Sequence, residues 1–297
     1  MANALVADDR QARVARRMTM RDRPFVKMSG GGNDFVVFDD RDAWFPKERA
    51  VELVARICRR GLGIGADAVL LLETDPEADV RMGYYNADGG EAPMCGNGAL
   101  CMARYARLEG VVQTDVLRIA TGSGTFRARV ADPDRPEVTL WLVPPRDLTL
   151  RYPELEQPPY RRIGFVDTST PHVVALVDDA EALDVKREGP RFRCDPRWDP
   201  PGTNANFVTV IDGHTIRMRT YERGVEDETL SCGTGATASA ILTALWGLTE
   251  PPITVRTTGG TPLTVDFSPP PVTEVPPADP CLTGEARVVY RGTIGEP

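Results

Sequence analysis

Histidine and lysine are scarce in this sequence, and each shortage argues against a class of chemistry. Among 297 residues there are two histidines, His172 and His214, and neither lies near a cysteine in the sequence. The cysteines never show the Cys-x-x-Cys spacing of a zinc ligand pair, so no metal site is expected. The three lysines, Lys27, Lys47 and Lys186, lack a recognisable phosphate-binding context, which argues against a pyridoxal phosphate enzyme.

Positive charge and long apolar runs are also lacking. The formal net charge is −8, whereas a nucleic-acid partner or an anionic membrane surface would require a basic face. The longest stretch without a charged residue, 229–249, is interrupted by Ser, Thr and Gly and is too polar to span a membrane. We therefore expect a soluble protein with neither nucleic acid nor membrane as partner.

Six cysteines are present, at positions 58, 95, 101, 194, 232 and 281, without a secretory signal or the dense spacing of a small disulfide-rich domain. This predicts reduced thiols and a cytoplasmic protein. Residues 1–23 are polar and arginine-rich without an apolar core segment, which predicts a disordered N-terminal extension. An organellar transit peptide is the alternative, and the acidic residues in this segment weaken it.

Two short motifs share one pattern. Residues 95–98 (CGNG) and 232–235 (CGTG) each place a cysteine and a glycine-rich turn before an alanine-rich run. Such runs favour helix, so each cysteine is predicted at a helix N-terminus, where the helix dipole lowers a thiol pKa and free N–H groups bind carboxylates. One such motif could be a turn with a buried thiol, but two suggest a pair of bases serving opposite faces of one carbon.

The two halves of the chain repeat further features. Each has a loop with glycine and asparagine before an aromatic residue (GGGNDF at 30–35, GTNANF at 202–207), a strand that ends in tyrosine, a cysteine motif and an apolar helix at about 98–108 or 236–248. An internal duplication with an active site between two domains is predicted. The Pro144-Pro145 break divides the domains into 24–143 and 144–284, with a C-terminal strand at about 285–297 added to the first.

These motifs together resemble the diaminopimelate epimerases, members of a cofactor-independent group that includes proline racemase. The resemblance runs from Phe25 to Gly295 and rests on GGGNDF, YYNADGGEAPMCGNG, TPHVV, GTNANF, YERGVEDETLSCGTG and LTGEA. It implies an α/β fold of the α+β type with two pseudo-symmetric domains, each an antiparallel β-sheet curled around a central buried helix. It also implies a homodimer, no cofactor, and interconversion of LL- and meso-diaminopimelate for lysine and peptidoglycan precursors.

The resemblance also assigns roles to individual residues. Cys95 and Cys232 become the two acid/base residues, and His172 and Glu222 adjust their protonation. The α-carboxylate is held by Gly96, Asn97, Gly233 and Thr234. The remaining substrate contacts come from Asn33, Asn86, Thr170, Asn204, Glu222 and Arg223, with Arg223 meeting the distal carboxylate as a charge-assisted pair.

Four positions depart from the family's commoner pattern: Ala68, Leu100, Ser169 and Thr170. Since two of these changes replace larger amides, a racemase of the histidine or proline type remains an alternative. A phenazine-type isomerase or a non-catalytic binding protein of the same fold is another, although retention of both cysteines argues against each. Two thiols that serve one α-carbon would also be close enough to form a disulfide on oxidation.

Overall fold

The computed structural model describes residues 20–198, 200, 202–268 and 275–295. Most of the predicted disordered extension, 1–23, therefore lies outside the described residues. Two of its last four residues contact the protein, since Met20 is buried and the N–H of Asp22 donates to the carbonyl of Ile294 at 2.6 Å. None of the described helices has the length and apolarity that crossing a membrane requires.

The first half of the chain forms a closed barrel around one helix. Its elements are β1 Pro24–Gly30, β2 Asn33–Asp39, α1 Ala50–Cys58, β3 Ala68–Glu73, β4 Val80–Asn86, α2 Gly96–Leu108, β5 Val116–Thr121, β6 Gly124–Arg129 and β7 Glu137–Trp141. Strands β1 to β7 are neighbours in chain order, and the last described strand, β16 Cys281–Thr293, pairs with both β7 and β1. Helix α2 lies inside, with every residue from Asn97 to Ala106 buried.

The second half forms a similar sheet around a second helix. Its elements are β8 Arg146–Thr149, β9 Tyr160–Asp167, β10 Pro171–Val177, α3 Val185–Arg193, β11 Asn204–Asp212, β12 Thr215–Glu222, β13 Asp227–Thr229, α4 Gly233–Leu245, β14 Ile253–Arg256 and β15 Leu263–Asp266. The strand order continues from β16 through β15, β14, β12, β11, β10 and β9 to β8, and β13 pairs with β12. The central helix α4 is buried from Gly235 to Thr243.

The predicted central helices are confirmed, with shifted ends. Both begin earlier than expected, because the glycines of the cysteine motifs already have helical geometry. Helix α4 ends at Leu245 rather than Leu248, since Gly247 adopts a left-handed backbone conformation (φ 73°) that stops a helix. Helix α1 is preceded directly by a short 3-10 turn, Lys47–Arg49.

Most strand pairs are antiparallel, but four are parallel, and each parallel pair is joined through a helix. These units are β2–α1–β3, β4–α2–β5, β10–α3–β11 and β12–α4–β14. A parallel pair needs such a crossover connection. Because two such units follow each other in each half, the topology shows the internal repeat directly.

This topology corrects the alignment of the repeat. The sequence comparison matched the loop before Asn33 with the loop before Asn204. In the structure Phe35 of β2 pairs with Ala68 of β3, and His172 of β10 pairs with Asn204 of β11. Asn204 therefore corresponds to Ala68, and the GGGNDF loop at 30–35 corresponds to the STPH segment at 169–172. The predicted match was wrong because both loops combine asparagine with an aromatic residue, whereas the order of the parallel strands decides the equivalence.

Each central helix has its own core cluster, and the C-terminal strand contributes to both clusters. Helix α2 packs in a cluster that draws Ala286 from β16, and α4 packs in a cluster that draws Leu282 from the same strand. The strand begins at Cys281 rather than near 285, and residues 281–283 pair with β15 of the second half. The boundary at Pro144-Pro145 stays a prediction.

Candidate active site

Each predicted catalytic cysteine is the N-cap of a central helix. Cys95 precedes α2 with an extended backbone (φ −141°, ψ 122°), and Cys232 precedes α4 in nearly the same conformation (φ −135°, ψ 110°). The Cys95 Sγ accepts the N–H of Gly98 at 3.5 Å, and the Cys232 Sγ accepts the N–H of Gly235 at 3.4 Å. The two motifs are therefore structural copies as well as sequence copies.

The two helix N-termini meet between the halves. A Cβ built on Gly233 would lie 3.7 Å from Asn97 Oδ1, so the first turn of α4 lies beside the first turn of α2. A cavity of about 620 Å³ opens at this junction. Twelve of the thirteen predicted site residues line it: Asn33, Asn86, Cys95, Gly96, Asn97, Thr170, Asn204, Glu222, Arg223, Cys232, Gly233 and Thr234. The thirteenth, His172, is fully buried behind the wall.

Sequence reasoning missed several lining residues, among them Tyr84, Met94, Ser123, Phe126 and Val143. Tyr84 could have been found, because alternate residues of a strand share a face and Asn86 at the end of β4 was already assigned to the site. Ser123 and Phe126, in the hairpin of β5 and β6, have no sequence motif that predicts a role in the site, because only the closure of the barrel brings them to the cavity.

Of the four positions that depart from the family pattern, two do not line the cavity. Ala68 and Leu100 are fully buried, and Leu100 packs beneath β16, where a Cβ on Gly284 would lie 3.0 Å from its Cδ1. Ser169 and Thr170 do line the cavity, and Ser169 adopts a positive φ of 85°. Of the four departures, only those at Ser169 and Thr170 therefore lie where they could contact a ligand in the cavity.

Burial dominates the electrostatics of both thiols. It raises the pKa of Cys232 to about 12 and also raises the pKa of Cys95, with the carboxyl of Glu222 adding to both shifts. Hydrogen bonds from the helix N–H groups act in the opposite direction but are smaller. The helix N-termini therefore lower both thiol pKa values as expected, but burial outweighs this effect and the net shift is upward, opposite to the predicted one. Burial raises the pKa of Glu222 as well.

His172 is held neutral in the wall of the cavity. Its Nε2 lies 3.0 Å from Thr170 Oγ1 and 2.9 Å from Thr234 Oγ1, and its Nδ1 lies 3.1 Å from Asn206 Nδ2. Burial, with a smaller contribution from the Arg223 charge, lowers the pKa of His172 to about 3. The imidazole is therefore uncharged at neutral pH.

This depressed pKa predicts a measurable pH dependence of stability. Below about pH 6.5 the unfolded chain binds a proton at His172 and the native state does not, so the stability that this residue contributes falls as the pH drops from 6.5 towards 3. Urea unfolding of the wild type and of His172→Gln should therefore differ less at pH 5 than at pH 7, by about 2 kcal/mol.

The control is His214→Gln, which removes the exposed histidine. If the difference between wild type and His172→Gln were the same at both pH values, the histidine would titrate alike in both states and the buried neutral assignment would be wrong.

A hydrogen-bonded chain fixes the asparagines of the first half. The Nδ2 of Asn33 donates to Asp67 Oδ2 at 3.0 Å, and Asp67 is also paired with Arg60 at 2.9 Å. This leaves Asn33 Oδ1 facing Asn97, whose Nδ2 donates to it at 2.9 Å. Within the described part of the chain the buried Asn97 Oδ1 has no partner, so an unused acceptor remains where the two helix N-termini meet.

In the second half Asn204 supports Arg223. The Asn204 side chain accepts the backbone N–H of Arg223 at 2.8 Å and donates to the carbonyl of Pro171 at 3.1 Å. The guanidinium of Arg223 donates to the carbonyl of Gly202 through Nη1 at 3.3 Å, and the side chain lines the cavity. Since a guanidinium has five N–H donors, most of them remain available to an anion. No group of three or more potential metal ligands occurs among the described residues.

Comparison with known proteins shows the family to which this chain belongs. The family model for diaminopimelate epimerase matches residues 25–141 and 164–267, which include both cysteine motifs. The diaminopimelate epimerase of Gemmatimonas aurantiaca is 40% identical over 91% of this chain and 98% of its own, and that of Aquifex aeolicus is 41% identical over 92% and 98%.

Solved structures with the same fold are more distant in sequence. A phenazine biosynthesis protein of the PhzF family from Bacillus anthracis superimposes with a TM-score of 0.70 at 15% identity, covering 93% of this chain and 99% of that one. A probable proline racemase from Agrobacterium radiobacter gives 0.62 at 18% identity, covering 92% of each. These two structures show the fold alone, whereas the family model and the relatives at about 40% identity show the family. The chain belongs to the diaminopimelate epimerase family.

Proposed function

We propose that the protein interconverts LL- and meso-diaminopimelate by proton transfer at the α-carbon between two cysteines, without a cofactor. The observation that carries this proposal is the meeting of two cysteine-capped helix N-termini in one cavity. A substrate carboxylate at the junction would accept N–H groups of Gly96, Asn97, Gly233 and Thr234 and would be stabilised by both helix dipoles. The α-carbon would then lie beside the two sulfurs.

The chemistry starts with one thiolate and one thiol. The thiolate takes the α-proton, the electron pair stays on the α-carbon and spreads into the carboxylate, and the opposite thiol then donates its proton to the other face. The second cysteine ends as the thiolate, so no proton is gained or lost. A buried thiolate is a stronger base than an exposed one: burial, with a further contribution from Glu222, raises the pKa of Cys232 to about 12, which favours removal of a proton from a weakly acidic α C–H bond.

Arg223 gives the cavity its preference for a second carboxylate. Its guanidinium is available in the wall beside Asn204, and a bidentate pair with a carboxylate is both stronger and more directional than a neutral hydrogen bond. A product of this kind supplies lysine and peptidoglycan precursors. The cytoplasmic location and the homodimer implied by the family resemblance remain proposals, and sedimentation equilibrium tests the homodimer.

Exchange in deuterated water tests the proposed function. Purified protein without pyridoxal phosphate should introduce deuterium at the α-carbon of both LL- and meso-diaminopimelate, observed by NMR as loss of the α-proton signal. The Cys95→Ala/Cys232→Ala double variant is the control. Exchange with proline or histidine but not with diaminopimelate would favour the racemase alternative, and no exchange with any of them would indicate a binding protein.

A further inference from the structure

The wall behind Cys232 contains a set of polar side chains that differs from the surroundings of Cys95, where the side-chain partner of the sulfur is the Tyr84 hydroxyl. We propose that Asn206 is a positioning residue that fixes the tautomer of His172, so that a chain of hydrogen bonds runs from Asn206 through His172 and Thr234 and ends as a donor on the Cys232 sulfur. Its last link rests on the proposed function, because it concerns the Cys232 thiolate. The first links are statements about the folded protein alone.

The orientation of the Asn206 amide is fixed by its partners. Asn206 is fully buried, and its Nδ2 lies 2.9 Å from the carbonyl oxygen of Val173, which can only accept. Its Oδ1 accepts the hydroxyl of Thr220 at 2.9 Å. The second hydrogen of Nδ2 therefore points at His172 Nδ1, 3.1 Å away.

This contact decides where the imidazole carries its hydrogen. Because Nδ1 of His172 accepts a hydrogen bond, a neutral ring must carry its hydrogen on Nε2. The Nε2–H faces the hydroxyl oxygens of Thr234 at 2.9 Å and Thr170 at 3.0 Å, and both can accept it. A buried histidine in this tautomer is a donor towards the cavity and has no lone pair to offer there.

The Thr234 hydroxyl extends this donor direction to the Cys232 sulfur. Thr234 Oγ1 accepts from His172 and, at 3.3 Å, from the Thr170 hydroxyl, so its own hydrogen is available to Cys232 Sγ at 3.4 Å. The sulfur then accepts two hydrogen bonds, one from Thr234 and one from the Gly235 N–H. Both stabilise a thiolate more than a thiol. His172 thus keeps one protonation state throughout turnover and does not remove the Cys232 proton.

The equivalent position in the first half is apolar. The equivalent glycines Gly98 and Gly235 show this. A Cβ on Gly235 would lie 3.3 Å from Cys232 Sγ and 2.4 Å from Asn206 Oδ1. A Cβ on Gly98 would lie 3.8 Å from Cys95 Sγ, but its other neighbour is Leu70 Cδ2, at 3.2 Å. Leu70 therefore stands where Asn206 stands, and the pairing register equates Phe35 with His172. The relay reaches Cys232 alone, and Cys95 has the Tyr84 hydroxyl as its side-chain donor instead, so the two halves of the duplicated site are chemically different.

Nitrogen-15 NMR tests the tautomer directly, because the chain has two histidines and His172→Gln assigns their signals. In the labelled wild type at pH 7.5 we expect the His172 hydrogen on Nε2 and none on Nδ1. A hydrogen on Nδ1 would overturn the proposal without any variant. In Asn206→Asp the carboxylate accepts instead of donating, so the hydrogen should move to Nδ1.

Thr220→Val is the matched control, since it removes a buried hydroxyl that touches Asn206 but not His172. The carbonyl of Val173 still orients the amide, so this variant should keep the wild-type tautomer. If Thr220→Val shifted the hydrogen as Asn206→Asp does, the effect would be general loosening of the core and the positioning role would fail.

The link to Cys232 is tested on a half-reaction. A diaminopimelate analogue with a leaving group on the β-carbon undergoes elimination with the abstracting cysteine alone. Asn206→Asp should slow elimination by about 10-fold or more for the α-epimer that uses Cys232 and leave the other epimer within about 2-fold, as expected for loss of a hydrogen bond to a charged group. Equal slowing of both would refute the last link. Absence of exchange with any amino acid would refute the proposed function while leaving the tautomer result intact.

Discussion

Cys95→Ala and Cys232→Ala are each expected to lower epimerisation of LL-diaminopimelate by about 10³-fold or more. Each variant removes one of two groups that must act in every turnover, since the proton leaves one face of the α-carbon and returns to the other. Cys→Ser should leave traces of activity, because a hydroxyl still donates a proton but is a very poor base. The measurement is the rate of conversion followed by chiral chromatography.

Separate half-reactions make this expectation sharper. With a β-leaving-group analogue, Cys95→Ser and Cys232→Ser should each retain elimination for one α-epimer and lose it for the other. The family resemblance assigns Cys95 to the L-centre and Cys232 to the D-centre. Cys194→Ala, which changes an exposed thiol, is the control and should behave as wild type. A single variant that lost elimination with both epimers, while the other kept both, would indicate one-base chemistry.

Arg223→Ala is expected to reduce kcat/KM for diaminopimelate by about 10 to 150-fold, which corresponds to the loss of about 1.5–3 kcal/mol from a charge-assisted hydrogen bond. The guanidinium lines the cavity and uses one described hydrogen bond, to the carbonyl of Gly202. Arg223→Lys should be intermediate because it keeps the charge without the fork. Steady-state kinetics with both epimers provide the measurement.

Two comparisons assign this effect to the second carboxylate. The slow exchange expected with lysine, which lacks that carboxylate, should change little in Arg223→Ala. Arg161→Ala removes an exposed arginine paired with Asp178 on the surface and should leave kcat/KM unchanged. An equal loss for lysine and diaminopimelate would mean that Arg223 acts on the α-carbon end, and the assignment of the distal pocket would be wrong.

Features that depend on local sequence were predictable. The glycines and alanines at 95–103 and 232–240 favour a capped helix through local sequence alone. The motifs therefore predicted both cysteines at helix N-termini. Helix α3 was missed because Gly189 and Pro190 lie within it, and its helical state depends on packing of buried residues such as Phe192. The net upward shift of the thiol pKa values was missed for a related reason. The helix effect can be read from local sequence, whereas burial of the thiols depends on the whole fold.

Features that depend on strand register were not predictable. Asn206 lies within the GTNANF motif, but the motif does not indicate its role, which comes from the parallel pairing that places β11 beside His172. The same register reveals that the second half holds a polar pair where the first half holds Phe35 and Leu70. A one-residue error in that pairing would point Asn206 to the opposite face of the sheet.

The strand Cys281–Thr293 constrains the order in which the protein can assemble during translation. It fills the gap between β7 and β1, so the barrel built by the earliest part of the chain is completed by the last strand that the structure describes. A nascent chain that has emerged only as far as residue 143 therefore exposes two unpaired strand edges. The first barrel can therefore close only after β16 has emerged, and β16 follows the whole second half in the chain.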